Sequence, residues 1–213
     1  MSEFKVLIEA VTKGDIIKAV AETQKAIDAG GFIQAIIDEG LIAAMDEVGD
    51  NFSKGTIFVP QMLRSAKTMQ ECMKLLEPLL KEGDTSSKGK VIIGTVKGDL
   101  HDIGKNLVIM MLEGQGFSVV DLGISVNTDK FVETVIEKKP DIVALSALLT
   151  TTMMEMKNTI VALEEAGLRN SVKIIVGGAP VTRAFADQIG ADGYGYDAPG
   201  AAQKCKELVL GKI

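Results

Sequence analysis

The single histidine of this 213-residue chain, His101, lies in the run Asp99-Leu100-His101-Asp102-Ile103-Gly104. An imidazole can ligate a metal or carry a proton near neutral pH, and a carboxylate two residues earlier can orient one of its ring nitrogens. The run follows Lys90–Val96 (KVIIGTV), which reads as a buried parallel strand, and leads into Ile103–Gly114, which reads as a helix. A strand-to-helix turn places such a pair at the mouth of a sheet, where α/β proteins bind ligands. Small and polar residues recur at the other strand ends: Ser146-Ala147-Leu148-Leu149-Thr150, Gly177-Gly178-Ala179-Pro180 and Gly193-Tyr194-Gly195-Tyr196-Asp197. Loops on one edge of a parallel sheet face one cleft, so these four segments are expected to converge.

The elements that must position them follow from hydrophobic period. Strands are predicted near 90–96, 117–122, 141–146, 172–177 and 191–194, and helices near 103–115, 127–138, 151–167, 180–188 and 197–210. This alternation predicts a flavodoxin-like (Rossmann-like), doubly wound, five-stranded parallel sheet over 90–213. Residues 1–82 show only helical spacing. Stripes such as Ile16, Ile17, Val20 and Ile27, and Met62, Leu63, Ala66, Met69 and Met73, predict a four-helix bundle with short antiparallel connections. The polar run Lys81–Gly89 reads as the connection between the halves, with the linker proper at 83–89. The fold class is thus α + α/β, a helical cap followed by the sheet domain.

Composition narrows the chemistry. Net charge is −6, and no basic patch with interleaved aromatics is present, which argues against a nucleic-acid partner. No apolar run approaches the roughly 20 residues that cross a bilayer, and the amino terminus lacks a signal-peptide pattern. With two widely separated cysteines, Cys72 and Cys205, a cytoplasmic protein with reduced thiols is expected. Neither phosphate-loop fingerprint, G-x-x-x-x-G-K-[ST] or G-x-G-x-x-G after the first strand, is present. The first loop, Val96-Lys97-Gly98-Asp99, lacks the hydroxyls of a flavin phosphate site, and the third strand ends in Ser146 where a phospho-receiver would place aspartate. Zinc needs three or four ligands. Corrinoid cobalt needs one from the protein, because the macrocycle supplies the equatorial nitrogens, so the scarcity of ligands favours the macrocycle.

Each loop also has a plain structural reading. Asp99 or Asp102 can cap the next helix, Gly104 can permit close packing, and Ser146 and Thr150 can be turn residues. Together, however, Asp99-x-His101-x-x-Gly104, Ser146-x-Leu148 and Gly177-Gly178, in that order, resemble the cobalamin-binding signature of corrinoid methyltransferase proteins. The segment Gly55–Met62 with Ser65 and Ala66 resembles the helical cap of the same family, so the likeness covers nearly the whole chain. It extends to the small carriers of methylamine, methanol, betaine and methoxy-aromatic systems and to the cobalamin module of methionine synthase.

The resemblance implies that His101 is the lower axial ligand of cobalt, replacing the cofactor's own base, with Asp99 on its other nitrogen and Ser146 extending that network. Asp102 and Ile103 fall inside the same motif and are implied to contact the cofactor. Gly104, Gly177, Gly178 and Ala179 would leave room for the displaced nucleotide tail, with Leu148 and Thr150 along its path and Tyr194 near its end. Phe58, Met62 and Ala66 of the cap would shield the upper face. The implied function is methyl shuttling on cobalamin (vitamin B12, methylcobalamin or a related corrinoid), cycling between Co(I) and methyl-Co(III). The protein would not be catalytic alone. The implied partners are a substrate-specific corrinoid methyltransferase, a second methyltransferase using tetrahydrofolate or a thiol, and a reductive activating protein. Neither nucleic acid nor membrane is an expected partner. A cobalamin-dependent sensor or regulatory module and a flavodoxin-like electron carrier are the alternatives.

Overall fold

The computed structural model describes residues 3–80 and 87–211. The chain divides into two compact units, 1–86 with 113–116, and 87–112 with 117–213. The expected linker falls partly outside the described residues, at 81–86. Its last residues are tied to the sheet, because Ser118 N donates to Ser87 Oγ at 2.9 Å.

In the helical unit, α1 (Lys5–Thr12) buries Leu7, Ala10 and Val11. The Asp15 side chain caps α2 (Ile16–Asp28) by accepting from Lys18 N at 3.1 Å. A short α3 (Ile33–Ala35) runs without a break through a π-helical stretch (Ile36–Ile42) into α4 (Ala43–Ser53). The apolar stripe predicts one regular helix here, and the structure widens it around Gly40. A Cβ at Gly40 would lie 3.0 Å from the Leu7 side chain, so close approach of α1 fixes that position. Helix α5 (Val59–Leu76) starts with Pro60 in its first turn, where a missing N–H costs nothing. Gln61 Oε1 accepts from Phe58 N at 2.9 Å, and a 3₁₀ turn (Glu77–Leu79) ends the helix.

The second unit alternates β1 (Lys90–Thr95), α6 (Ile103–Gly114), β2 (Ser118–Asp121), α7 (Thr128–Lys138), β3 (Ile142–Ser146), α8 (Met154–Glu165), β4 (Lys173–Gly177), α9 (Arg183–Gln188), β5 (Gly193–Gly195) and α10 (Ala198–Leu210). All neighbouring strands are parallel, in the order β2-β1-β3-β4-β5. Ile92, Val143, Leu145, Ile174 and Val176 turn one sheet face onto Phe131, Met156, Ile160 and Leu163. The alternating residues face the other way. β5 is short because Gly193 and Gly195 carry α10 at close quarters: added Cβ atoms would meet Lys204 and Ala201. Strand order reverses between β1 and β3, which places a ligand crevice beyond their carboxyl ends. No helix among the described residues is long and apolar enough to cross a membrane.

Both cysteines are buried and free. Burial raises the Cys72 thiol and pushes Cys205 up to about 12, which keeps both protonated at neutral pH. The native protein is therefore expected to resist a thiol-specific chromogenic reagent near pH 8 and to release two equivalents of colour only after denaturation.

Candidate functional site

The loops after β1 and β3 are joined by one carboxylate. Asp99 is fully buried, and both of its oxygens are paired. Oδ1 accepts from His101 N at 3.1 Å and lies 2.7 Å from His101 Nδ1. Oδ2 accepts from Leu148 N at 2.8 Å, Leu149 N at 3.1 Å and the Thr152 hydroxyl at 2.7 Å. The Asp99 backbone also reaches the loop after β2, where Ser125 N donates to Asp99 O at 2.9 Å. Burial alone would raise its pKa, but the bonds from Thr152, His101 and Leu148 outweigh that and hold the carboxyl well below the usual carboxylate range.

An ionised carboxylate only accepts hydrogen bonds, so the Nδ1 of His101 carries the proton, and in the neutral ring it is Nε2 that holds the lone pair. The imidazole is half exposed. Its backbone is held as well, because Thr95 Oγ1 donates to His101 O at 2.9 Å. The result is one oriented nitrogen donor at a sheet mouth. Among the described residues no cluster of three or more His, Cys, Asp or Glu side chains could hold a metal ion. This donor set fits a metal that arrives with its other ligands in place.

Beside the histidine a cavity of about 320 Å³ opens into the sheet edge. Its floor is Ile93, Ala144 and Ile175, and its walls include Gly104, Val108, Ala198 and Ala201. A Cβ on Gly104 would meet nothing within 4 Å, so glycine there leaves open cavity rather than easing a contact. Exposed apolar side chains stand on its lining, Leu148 and, at 85% exposure, Tyr196, and on the loop that carries His101, Leu100 and, at 79%, Ile103. A flat apolar ring system above and an elongated group below fit this shelf and slot.

The structure brings Asp99, His101, Gly104, Ser146, Leu148, Gly177, Gly178 and Ala179 to this edge. It corrects one expected contact and places the other residues. Ser146 does not bond Asp99. It ends β3 on the face of Ala144 and lines the cavity, while the hydroxyl on Asp99 is Thr152, which the turn after β3 carries back over the carboxylate. Thr150 is exposed on that turn, outside the cavity. Tyr194 packs against the core on the opposite sheet face, and Tyr196, past the end of β5, stands at the mouth instead. Asp102 and Ile103 also lie off the cavity lining, Asp102 starting α6 by accepting from Asn106 N at 2.8 Å.

Gly178 has a different reason from the one expected. Its φ is +129°, and a Cβ would overlap the Ala147 carbonyl oxygen, so the backbone rather than a tail demands glycine. In the helical unit, Met62 and Ala66 sit on the buried stripe of α5 with Ser65, whose hydroxyl donates to Thr12 O of the α1 end, whereas Phe58 is exposed.

Two features escaped the sequence reading. Thr152 shares a buried helical stripe with Met156, Thr159, Ile160 and Leu163, and that period could have picked it from Thr150-Thr151-Thr152. Lys105, buried at the cavity wall, pairs both oxygens of Asp121 at 2.7 Å and reaches Asn106 Oδ1 at 3.0 Å. Nothing in the local sequence links residues from α6 and β2.

Two family models match the chain, both described as a B12 binding domain, over residues 89–202 and 4–77. The trimethylamine corrinoid protein 2 of Methanosarcina acetivorans is 45% identical over 203 residues, covering 94% of each chain. A cobalamin-binding protein from Desulfitobacterium hafniense superposes with a TM-score of 0.83 at 33% identity, covering 98% of this chain and 99% of that one. The methanol:cobalamin methyltransferase complex MtaBC from Methanosarcina barkeri gives 0.83 at 32% identity, covering 98% of this chain and 80% of that one.

Thr152→Val strands part of a buried carboxylate's hydrogen bonding and is expected to cost about 1–3 kcal/mol in urea unfolding. Ser146→Ala, which removes no bond to Asp99, should stay within about 0.5 kcal/mol of the parent. Gly178→Ala should lose about 2 kcal/mol or more through backbone overlap, seen as a lower melting temperature before any ligand is added.

Proposed function

The chain belongs to the corrinoid proteins built on the B12-binding domain, and on that premise we propose that it carries a methyl group between two methyltransferases. Its cofactor is a corrinoid. The observation that carries the reading is the 2.7 Å contact between Asp99 Oδ1 and His101 Nδ1, which leaves Nε2 free beside an apolar cavity.

In this reading His101 Nε2 would hold the cofactor's metal in place of the corrinoid's own base. When bound, the cofactor supplies the nucleophilic metal centre and the seat for the methyl group. The protein's share is electrostatic and geometric. Asp99, ionised and paired five ways, holds the Nδ1 proton and so makes Nε2 a stronger donor as the metal's demand for a lower ligand changes. Thr95 fixes the backbone of His101, so the loop that presents the ring keeps its place on the sheet edge. The exposed rim of Leu100, Ile103 and Leu148 excludes water from the underside of the macrocycle. The cavity receives the displaced nucleotide tail, with Gly104 as its open wall.

The methyl donor in this reading is a methylated amine. The support is the 45% identity to a trimethylamine corrinoid protein and the 41% identity to a dimethylamine corrinoid protein, over 94% and 100% of this chain. A donor-specific methyltransferase loads the carrier, a second one unloads it onto a thiol or tetrahydrofolate, and a reductive protein restores it after oxidation.

Reconstitution with cobalamin should give the absorption spectrum of a nitrogen-ligated corrinoid, and with 15N-labelled protein the Co(II) state should show 15N hyperfine splitting from His101 in electron paramagnetic resonance. His101→Ala is expected to abolish that splitting. Its persistence in the variant would overturn the axial assignment. Gly104→Leu fills the cavity without backbone strain and should weaken cobalamin binding tenfold or more at an unchanged melting temperature.

A further inference from the structure

Two non-glycine residues among those described have a positive φ, Ser125 at 49° and Lys139 at 46°. Lys139 closes α7, where a left-handed residue is an ordinary helix end. Ser125 ends no helix. It stands in the loop between β2 and α7, in a backbone region where a Cβ crowds the following carbonyl oxygen. A residue keeps such a conformation only where its surroundings hold it there.

The sheet ladder shows how the conformation arises. β1 and β2 pair in register at Ile93 and Asp121, and the same two segments meet again at Val96 and Val126. Between those points β1 advances three residues and its neighbour five. Thr95 brackets the excess: its N–H donates to Gly123 O at 3.0 Å, and its C=O accepts from Val126 N at 2.9 Å. Ile124 and Ser125 therefore bulge out of the ladder, and a bulge re-aims the groups it carries. Here they face the loop after β1. Ser125 N donates to Asp99 O at 2.9 Å, and Ser125 Oγ accepts from Gly98 N at 3.0 Å. The serine thus grips the dipeptide Gly98-Asp99 at its first N–H and its last C=O.

That grip has a separate task from the bonds on the Asp99 side chain. Leu148, Leu149 and Thr152 fix the carboxylate, but two rotatable bonds separate it from the main chain that continues into His101. Ser125 fixes that main chain before the histidine, and the Thr95 hydroxyl fixes it at His101 O. We propose that Ser125 is a positioning residue, which acts through Gly98 and Asp99 to set where His101 presents Nε2. The inference rests on the axial-ligand reading above. Partners that orient a ligating imidazole directly are worth about 10–100-fold in metal affinity, so Ser125, one step further out, is worth about fivefold.

The test uses full-length 15N-labelled protein loaded with cobalamin. Its readouts are the apoprotein melting temperature, cobalamin affinity by absorbance titration, and the Co(II) electron paramagnetic resonance signal. Protein 15N splits that signal into doublets, whereas the 14N of the cofactor's own base gives triplets. Ser125→Gly removes the hydroxyl and relieves the strained backbone, and water replaces the lost acceptor at exposed Gly98. It is expected to melt within about 2 °C of the parent or above it, because the lost bond is exposed. Cobalamin should bind it about fivefold more weakly, with part of the doublet lost. Ser125→Asn tolerates the left-handed region and offers Gly98 N a side-chain oxygen, so affinity and doublet should return to within about twofold of the parent.

Parental affinity with a full doublet in Ser125→Gly would overturn the positioning role. A loss of affinity matched by a fall in melting temperature would also overturn it, as would an Asn variant that binds no better than the Gly variant. A parent protein that shows no doublet at all would overturn the axial reading of His101 itself, and this inference with it.

Discussion

A buried negative charge has to be fully paired or it destabilises the fold, and Asp99 meets that constraint by recruiting donors from two loops of the sheet edge. Two donors come from His101, two from the backbone of Leu148 and Leu149, and one from Thr152. The strand order reverses between β1 and β3, so the carboxylate spans the very gap that a doubly wound sheet leaves open. Pairing the charge therefore does two things at once. It closes the loop after β3 over the loop after β1, and it fixes the tautomer of the one imidazole. Structural need and ligand chemistry fall on the same atoms.

The cavity follows from the same edge. Residues that alternate away from the main core, Ile93, Ala144 and Ile175, would ordinarily be covered by α6 and α10. Gly104 and the alanines Ala198 and Ala201 leave that space unfilled, and the pair of buried Lys105 with exposed Asp121 ties the first turn of α6 to the end of β2. The slot is thus lined mostly by small and apolar groups, which favours a guest that is largely apolar.

Glycines at this edge have different reasons despite their similar appearance in sequence. Gly178 is held by its positive φ and by the Ala147 carbonyl, which are demands of the turn. Gly104 has an ordinary helical backbone and faces open space, so its missing side chain matters to what enters the cavity. A motif treats the two alike. Only the position of a virtual Cβ separates a residue the fold needs from one the ligand needs.

Hydrophobic period alone determined the helical and α/β halves, the five strands within a residue or two, and the convergence of Asp99, His101, Gly104, Ser146 and the diglycine on one edge. Those are local or topological facts: period sets the element, and parallel alternation sends every loop after a strand to the same side. What the sequence could not assign were partners fixed across elements. Thr152 rather than Ser146 meets Asp99, Tyr196 rather than Tyr194 reaches the mouth, and Lys105 finds Asp121. Each depends on how a turn folds back or which side of a layer a residue meets, distances of a few ångströms set by packing of remote segments. Tertiary structure decided them, because hydrogen bonding and burial are settled by proximity in space, which spacing along a chain does not encode.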